Sequence, residues 1–308
     1  MKTNTSPASR LKKLFTKKVV IVSVIIVALT LNLITFVFAY PEMFKPSSST
    51  LARDFSAYYI GGWRLFHNPT QIYAGGSQPG DYPILPKPQT FKYTPSFFIL
   101  ISPFLVLSYQ DAFIAFNIVQ LASMLVLAFF VYNLVKDKNL ILAVAACVVV
   151  LIAPLPFFSL QTFSWSYYWG WVCGNAHVIQ PVFLVGAMYF GTVKKSWLSA
   201  LLFTFGVFDP RFALMALPLI AWFNRRSIFA FVAGTSVFLG VTNLPFFLYQ
   251  GVGFAFLRAT VSGDIVSQMY AYDWIPFYSI LALTLVELFA VLSKKVTSAK
   301  AKPNALLD

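Results

Sequence analysis

The residues most able to do chemistry are the carboxylates, and this chain has 10 of them among 308 residues. Asp54 is singled out by its surroundings. It follows the first long apolar run and is flanked by Arg53, Phe55, Tyr58 and Tyr59. An Asp there has two possible uses. It could cap a short helix over 55–66, its carboxylate accepting from the backbone N–H of Ala57. It could equally act as a base at the mouth of a membrane bundle. Further groups accompany it in later segments. Asn175 and His177 stand before one apolar run, Asp209 and Arg211 interrupt another, and Arg258 lies near the last. Carboxylates, amides and aromatic faces suit sugar hydroxyls, whereas cations suit phosphate, arginine bidentately. A lipid-linked sugar phosphate presents both beside an apolar tail.

Other chemistries lack their signatures. No HExxH, Walker loop or GxGxxG occurs, and His67 and His177 are far apart in sequence. Cys147 and Cys173 form no CxxC, and their placement argues against a disulfide. The net charge of +13 is distributed as short basic clusters between apolar runs, a pattern of membrane topology and anionic headgroups rather than of nucleic-acid binding.

The elements that must position these groups are membrane helices. Hydrophobic residues make up 58% of the chain and charged residues 11%, against about 25% charged in soluble domains. The reading is an all-α, polytopic transmembrane helical bundle of about eight or nine segments with a long first outer loop. A basic tail, 1–18, precedes the bundle over 19–293, and a second basic tail, 294–308, follows it; both tails read as cytoplasmic. The run over 19–39 is long enough to cross a hydrocarbon core of about 30 Å. Outer loops are expected at about 40–92, 159–177 and 250–273. The proline-broken stretch 93–108 is read as not crossing fully, because a full crossing would put later basic pairs outside. The run 197–223, interrupted at Asp209-Pro210-Arg211 and basic at both flanks, is read as entering and returning. Most of the 23 Lys and Arg residues then fall on the cytoplasmic side. The expected location is the plasma membrane, as a multi-pass protein.

Three stretches, DFSAYYIGGWRLFHNPTQIY, FKYTPSFFILISPFLVLS and CGNAHVIQPVFLVGAMYFGTVKK, resemble in order and spacing the glycosyltransferase 87 family. These are GT-C membrane enzymes that use polyprenyl-phosphate mannose or related donors. The resemblance covers roughly 50–225. It implies that Asp54 is the catalytic carboxylate, that Tyr58, Tyr59 and Tyr73 hold the family's aromatic positions, and that Tyr93 with Pro95 forms its Tyr-x-Pro. Gly174 matches the glycine of a Gly-Gln-x-Asn motif, in which Asn175 replaces Gln and His177 replaces Asn. Arg211 stands near a position where the family often carries Lys. The implied reaction is transfer of a hexose, mannose first, from a polyprenyl-phosphate donor to a lipid-linked or surface glycan acceptor. Asp54 takes the acceptor's proton, and cations hold the leaving phosphate. Arg53, Tyr58, Tyr59, Tyr73, Tyr93, Asn175, His177, Arg211 and Arg258 are the expected substrate contacts. No DxD motif occurs and no cofactor is required; a divalent metal stays open. The expected partners are the donor, a glycan or glycolipid acceptor and membrane lipids, with no nucleic acid. Two alternatives stand beside this reading: a lipid or sugar transporter or flippase, and a non-catalytic relative in which Asp54 is only a cap.

Overall fold

The computed structural model describes residues 7–43, 52–84, 88–137, 140–152, 173–176, 179–249 and 251–261. Every regular element among them is helical. In chain order the helices are α1 (Pro7–Met43), α2 (Arg53–His67), α3 (Phe97–Ile101), α4 (Tyr109–Val135), α5 (Leu140–Ile152), α6 (Ile179–Thr192), α7 (Ser196–Gly206), α8 (Pro210–Phe223), α9 (Ile228–Leu248) and α10 (Val252–Val261). Short 3-10 turns follow α2, α3 and α8. Among the described residues two helical stretches, Tyr109–Val135 and Arg225–Leu248, are long and apolar enough to cross a membrane.

Several boundaries differ from expectation. The first helix starts at Pro7 rather than 19 and runs through Pro41 to Met43. Lys, Arg and Leu are good helix formers, so helix can extend past an apolar run. The stretch 40–92, expected as an outer loop, contains α2, and the stretch 250–273, also expected as one, contains α10. The stretch 93–108 folds as α3 and a five-residue 3-10 turn, Ser102–Val106. At about 1.5–2 Å per residue these two elements are too short to cross a ~30 Å core. The expected last span and second tail, after 261, lie outside the described residues, as do 153–172.

The run 197–223 folds into two helices, broken at 207–209, with Pro210 opening α8. Proline suits that position because its missing N–H would lack a helical partner anyway. The two helices run antiparallel. The amide of Asn224, just after α8, donates to Ser199 near the start of α7 at 2.8 Å, and the hydroxyls of Ser196 and Ser227 are in contact. Small residues permit close packing here: Ala187, Ala200, Ala213 and Ala216 lie in the core shared by α6, α7, α8 and α9.

This arrangement gives the bundle two unlike ends. Helices α4, α6 and α8 all end at basic residues, respectively Lys136, Lys194–Lys195 and Arg225–Arg226. The paired rings Phe130–Tyr189 and the Ser199–Asn224 bond bring these termini to one end. At the other end α2 lies over the starts of α4 and α6 and over the α7–α8 break, within one aromatic core. That core includes Phe55, Tyr58, Tyr93, Phe97, Phe113 and Phe208.

Candidate functional site

The site is built on the first turns of α2. Asp54 and Tyr58 are four residues apart and so share one face of the helix. Phe55 and Tyr59 share the neighbouring face and turn toward α4, where Phe55 meets the rings of Tyr109 and Phe113 at 5.6 and 5.4 Å between centroids. The helix begins one residue before Asp54. The residue ahead of it, Ala52, is left-handed at φ 55°, and no side chain caps the terminus. Asp54 is therefore not the cap. Its Oδ2 accepts instead from the side-chain amide of Asn175 at 2.7 Å, across 121 positions of sequence.

Asn175 is set in place by its neighbours. Gly174 has φ +70°, a conformation that L side chains rarely adopt. A Cβ there would lie 2.6 Å from Cβ of Phe55 and 2.8 Å from the Phe113 ring. On the other side, the backbone N–H of Ala176 donates to the Tyr58 hydroxyl at 3.1 Å. That hydroxyl also shares a 2.9 Å hydrogen bond with the Tyr93 hydroxyl. Burial, then the neighbouring Tyr93 and Asp54, push the Tyr58 phenol well above its ordinary value, so it stays protonated at neutral pH.

The α7–α8 break closes the same region from behind. Gln180 Nε2 donates to the carbonyls of Gly206 at 2.6 Å and Asp209 at 2.8 Å. The N–H of Thr94 donates to the Phe208 carbonyl at 3.0 Å. Four segments far apart in sequence thus converge: the start of α2, the Tyr93–Thr94 turn, 174–176 with the start of α6, and the helix break. Asp209 is buried there.

The structure brings Asp54, Tyr58, Tyr93 and Asn175 into one cluster. No family model, no curated protein and no solved structure matches the chain. The remaining expected contacts distribute differently. The Tyr59 hydroxyl donates to the Leu107 carbonyl at 2.7 Å; burial, with Tyr82 beside it, pushes its phenol up to about 12. The Tyr73 hydroxyl donates to the Tyr93 carbonyl at 3.3 Å, and its ring meets Phe256 of α10. Both hydroxyls are thus engaged with backbone. Arg258 is exposed on α10, and no described contact joins it to Asp54. His177 and the side chains of Arg53 and Arg211 lie outside the described residues. Among the described residues no group of three His, Cys, Asp or Glu is placed to hold a metal.

Three polar residues that organise the site escaped sequence reasoning: Arg64, Asp81 and Gln180. Arg64, 2% exposed, pairs with Asp81 through two contacts, 2.8 Å from Nε and 2.6 Å from Nη2. Its other N–H groups donate to the carbonyls of Gln71, Ala74 and Gly76. One arginine therefore ties the segment after α2 back onto that helix. The available signal was a cation within an otherwise apolar helix, followed by an acid just past a glycine-rich turn.

What the cluster can do chemically follows from its unsaturation. One oxygen of Asp54 is held by an amide, and among the described residues Oδ1 has no hydrogen-bond partner. The residue is half-buried rather than enclosed. An oriented carboxylate with an open oxygen, beside phenols and a backbone turn, can accept a proton from a hydroxyl brought to it.

Proposed function

We propose that the chain is a polytopic membrane glycosyltransferase that moves a hexose, mannose first, from a polyprenyl-phosphate donor to a glycan or glycolipid acceptor, with Asp54 as general base. The observation that carries this reading is the Asp54–Asn175 pair. The carboxylate is not used as a helix cap; it is aimed by a residue from a distant segment and keeps an oxygen for another partner. Tyr58 and Tyr93, buried beside it and bonded to each other, hold the turn that carries Asn175. The GT-C resemblance runs through these same residues.

In the proposed reaction the acceptor O–H gives its proton to Asp54 as its oxygen bonds to the anomeric carbon. The bond from that carbon to the donor phosphate oxygen breaks, and the lipid phosphate leaves with the electron pair. Cations from Arg53, Arg211 or Arg258 balance that charge in this reading. The divided charge of the bundle supports the orientation. Basic residues end α4, α6 and α8 at one pole, whereas Asp54 lies at the other, as expected if the basic pole is cytoplasmic and Asp54 is at the outer face.

The test is direct. Purified protein in detergent is given polyprenyl-phosphate mannose and a glycolipid acceptor, and products are read by mass spectrometry. The reading expects a mannosylated acceptor and free polyprenyl phosphate in equal amounts. Transport of intact donor across proteoliposomes without transfer would replace it with the flippase alternative.

A further inference from the structure

At the pole away from Asp54, helices α1, α4 and α5 leave a groove of about 480 Å³. Val20, Ile25, Leu125, Phe129, Val144 and Leu151 line much of it, and Cys147 is among the few lining residues with a polar side chain. The groove is open along its length: Val20, Leu125 and Phe129 are all exposed. Apolar walls open to the side do not suit a hydrated ligand, and a membrane offers acyl chains.

The mouth of the groove is polar and cationic. Tyr132 lines it, and the Lys136 ammonium lies 5.8 Å from that ring's centre while donating to the Asn133 side chain at 2.7 Å. Lys17 and Lys18 occupy the α1 positions just before Val20, at the same end. One acid, Asp137, follows Lys136 and is exposed. The same pole carries the basic residues that follow α6 and α8, Lys194, Lys195, Arg225 and Arg226. We propose that this groove is the seat of one anionic phospholipid, its acyl chain against α1, α4 and α5 and its phosphate at Lys136 and Tyr132. The charge at one end and the apolar length beyond it match the two halves of such a lipid and do not match a free phosphate. The inference rests on the membrane reading but not on the chemistry at Asp54, and it is read without sugar donor or acceptor.

The experiment is native mass spectrometry of delipidated protein in detergent, titrated with palmitoyl-oleoyl phosphatidylglycerol or with the phosphatidylcholine of the same chains. The wild type is expected to retain one phosphatidylglycerol in preference to phosphatidylcholine. Lys136→Gln should weaken phosphatidylglycerol about fivefold, the scale of one lysine at an anionic surface, and leave phosphatidylcholine unchanged. Val144→Trp fills the groove from a partly exposed position, and at unchanged helicity it should weaken both lipids at least tenfold. Equal retention of the two lipids by wild type, or full phosphatidylglycerol retention by folded Val144→Trp, would overturn the proposal. Release of the protein from membranes by alkaline carbonate would instead remove the membrane reading itself.

Discussion

Helix α2 carries two polar anchors, and they are built on opposite principles. At its far end Arg64 is saturated, with donors directed to one carboxylate and three carbonyls in a nearly dry setting. At its start Asp54 is incomplete, half-buried and held through one oxygen by Asn175. A buried polar group with every partner in place fixes structure, because anything lost is an uncompensated charge or donor. A group held in position but left unsaturated keeps capacity for a substrate. Removing the first should therefore cost stability, and removing the second should cost activity.

The sharpest break of that contrast is Arg64→Met. It leaves Asp81 in place without its cation, and breaking a buried pair typically costs about 3–5 kcal/mol. Thermal melts in detergent should show a large drop in midpoint, with proteolysis entering at 68–81. The same pair has a pH signature. Burial alone would raise the Asp81 carboxyl, but hydrogen bonds from Arg64 and the Gln78 N–H, with the Arg64 charge, hold it below its ordinary 3.8. A depressed folded value means that the stabilisation is complete above 3.8 and fades only as pH falls below it toward the folded value. Wild type should thus show an acid-dependent loss of midpoint below that pH that Arg64→Met lacks.

Gly174→Ala comes next. The added methyl meets Phe55 and Phe113 in a left-handed turn, and overpacking of this kind costs about 1–3 kcal/mol. Since Gly174 positions Asn175, this variant should lose stability and activity together, blurring the two anchors. Tyr58→Phe is smaller. It strips the hydroxyl from the Ala176 N–H and from Tyr93, for about 1–2 kcal/mol in the melting midpoint.

How far the sequence revealed this contrast depends on the residue. Asp54 was legible because an acid beside a long apolar run is rare, and a helix over 55–66 was legible as the element that such an Asp could cap. The α7–α8 hairpin was legible because Asp209-Pro210 interrupts a run that is basic at both flanks. Asn175 was legible as a candidate, but its bond to Asp54 was not. That bond depends on a left-handed glycine and on contacts across 121 positions, which no local pattern encodes. Arg64 and Asp81 were missed for a related reason. An arginine in a tyrosine-rich helix looks like one more cation until its three carbonyl partners are in place. The N-cap reading of Asp54 failed by two positions, since α2 starts at Arg53 rather than 55 and Ala52 takes the turn.

The smallest effect on stability belongs to Asp54→Asn, and it carries the central claim. Asparagine keeps the size of the side chain and, by flipping its amide, an acceptor for Asn175, so the midpoint should move by less than about 1 kcal/mol. What it removes is basicity. The decisive measurement is the rate of sugar transfer from polyprenyl-phosphate mannose by purified wild type and Asp54→Asn at equal helicity and equal donor binding. Loss of transfer by about 10²–10⁴-fold is the expected result. Equal rates in two folded proteins would contradict the account and leave Asp54 as a structural partner of Asn175.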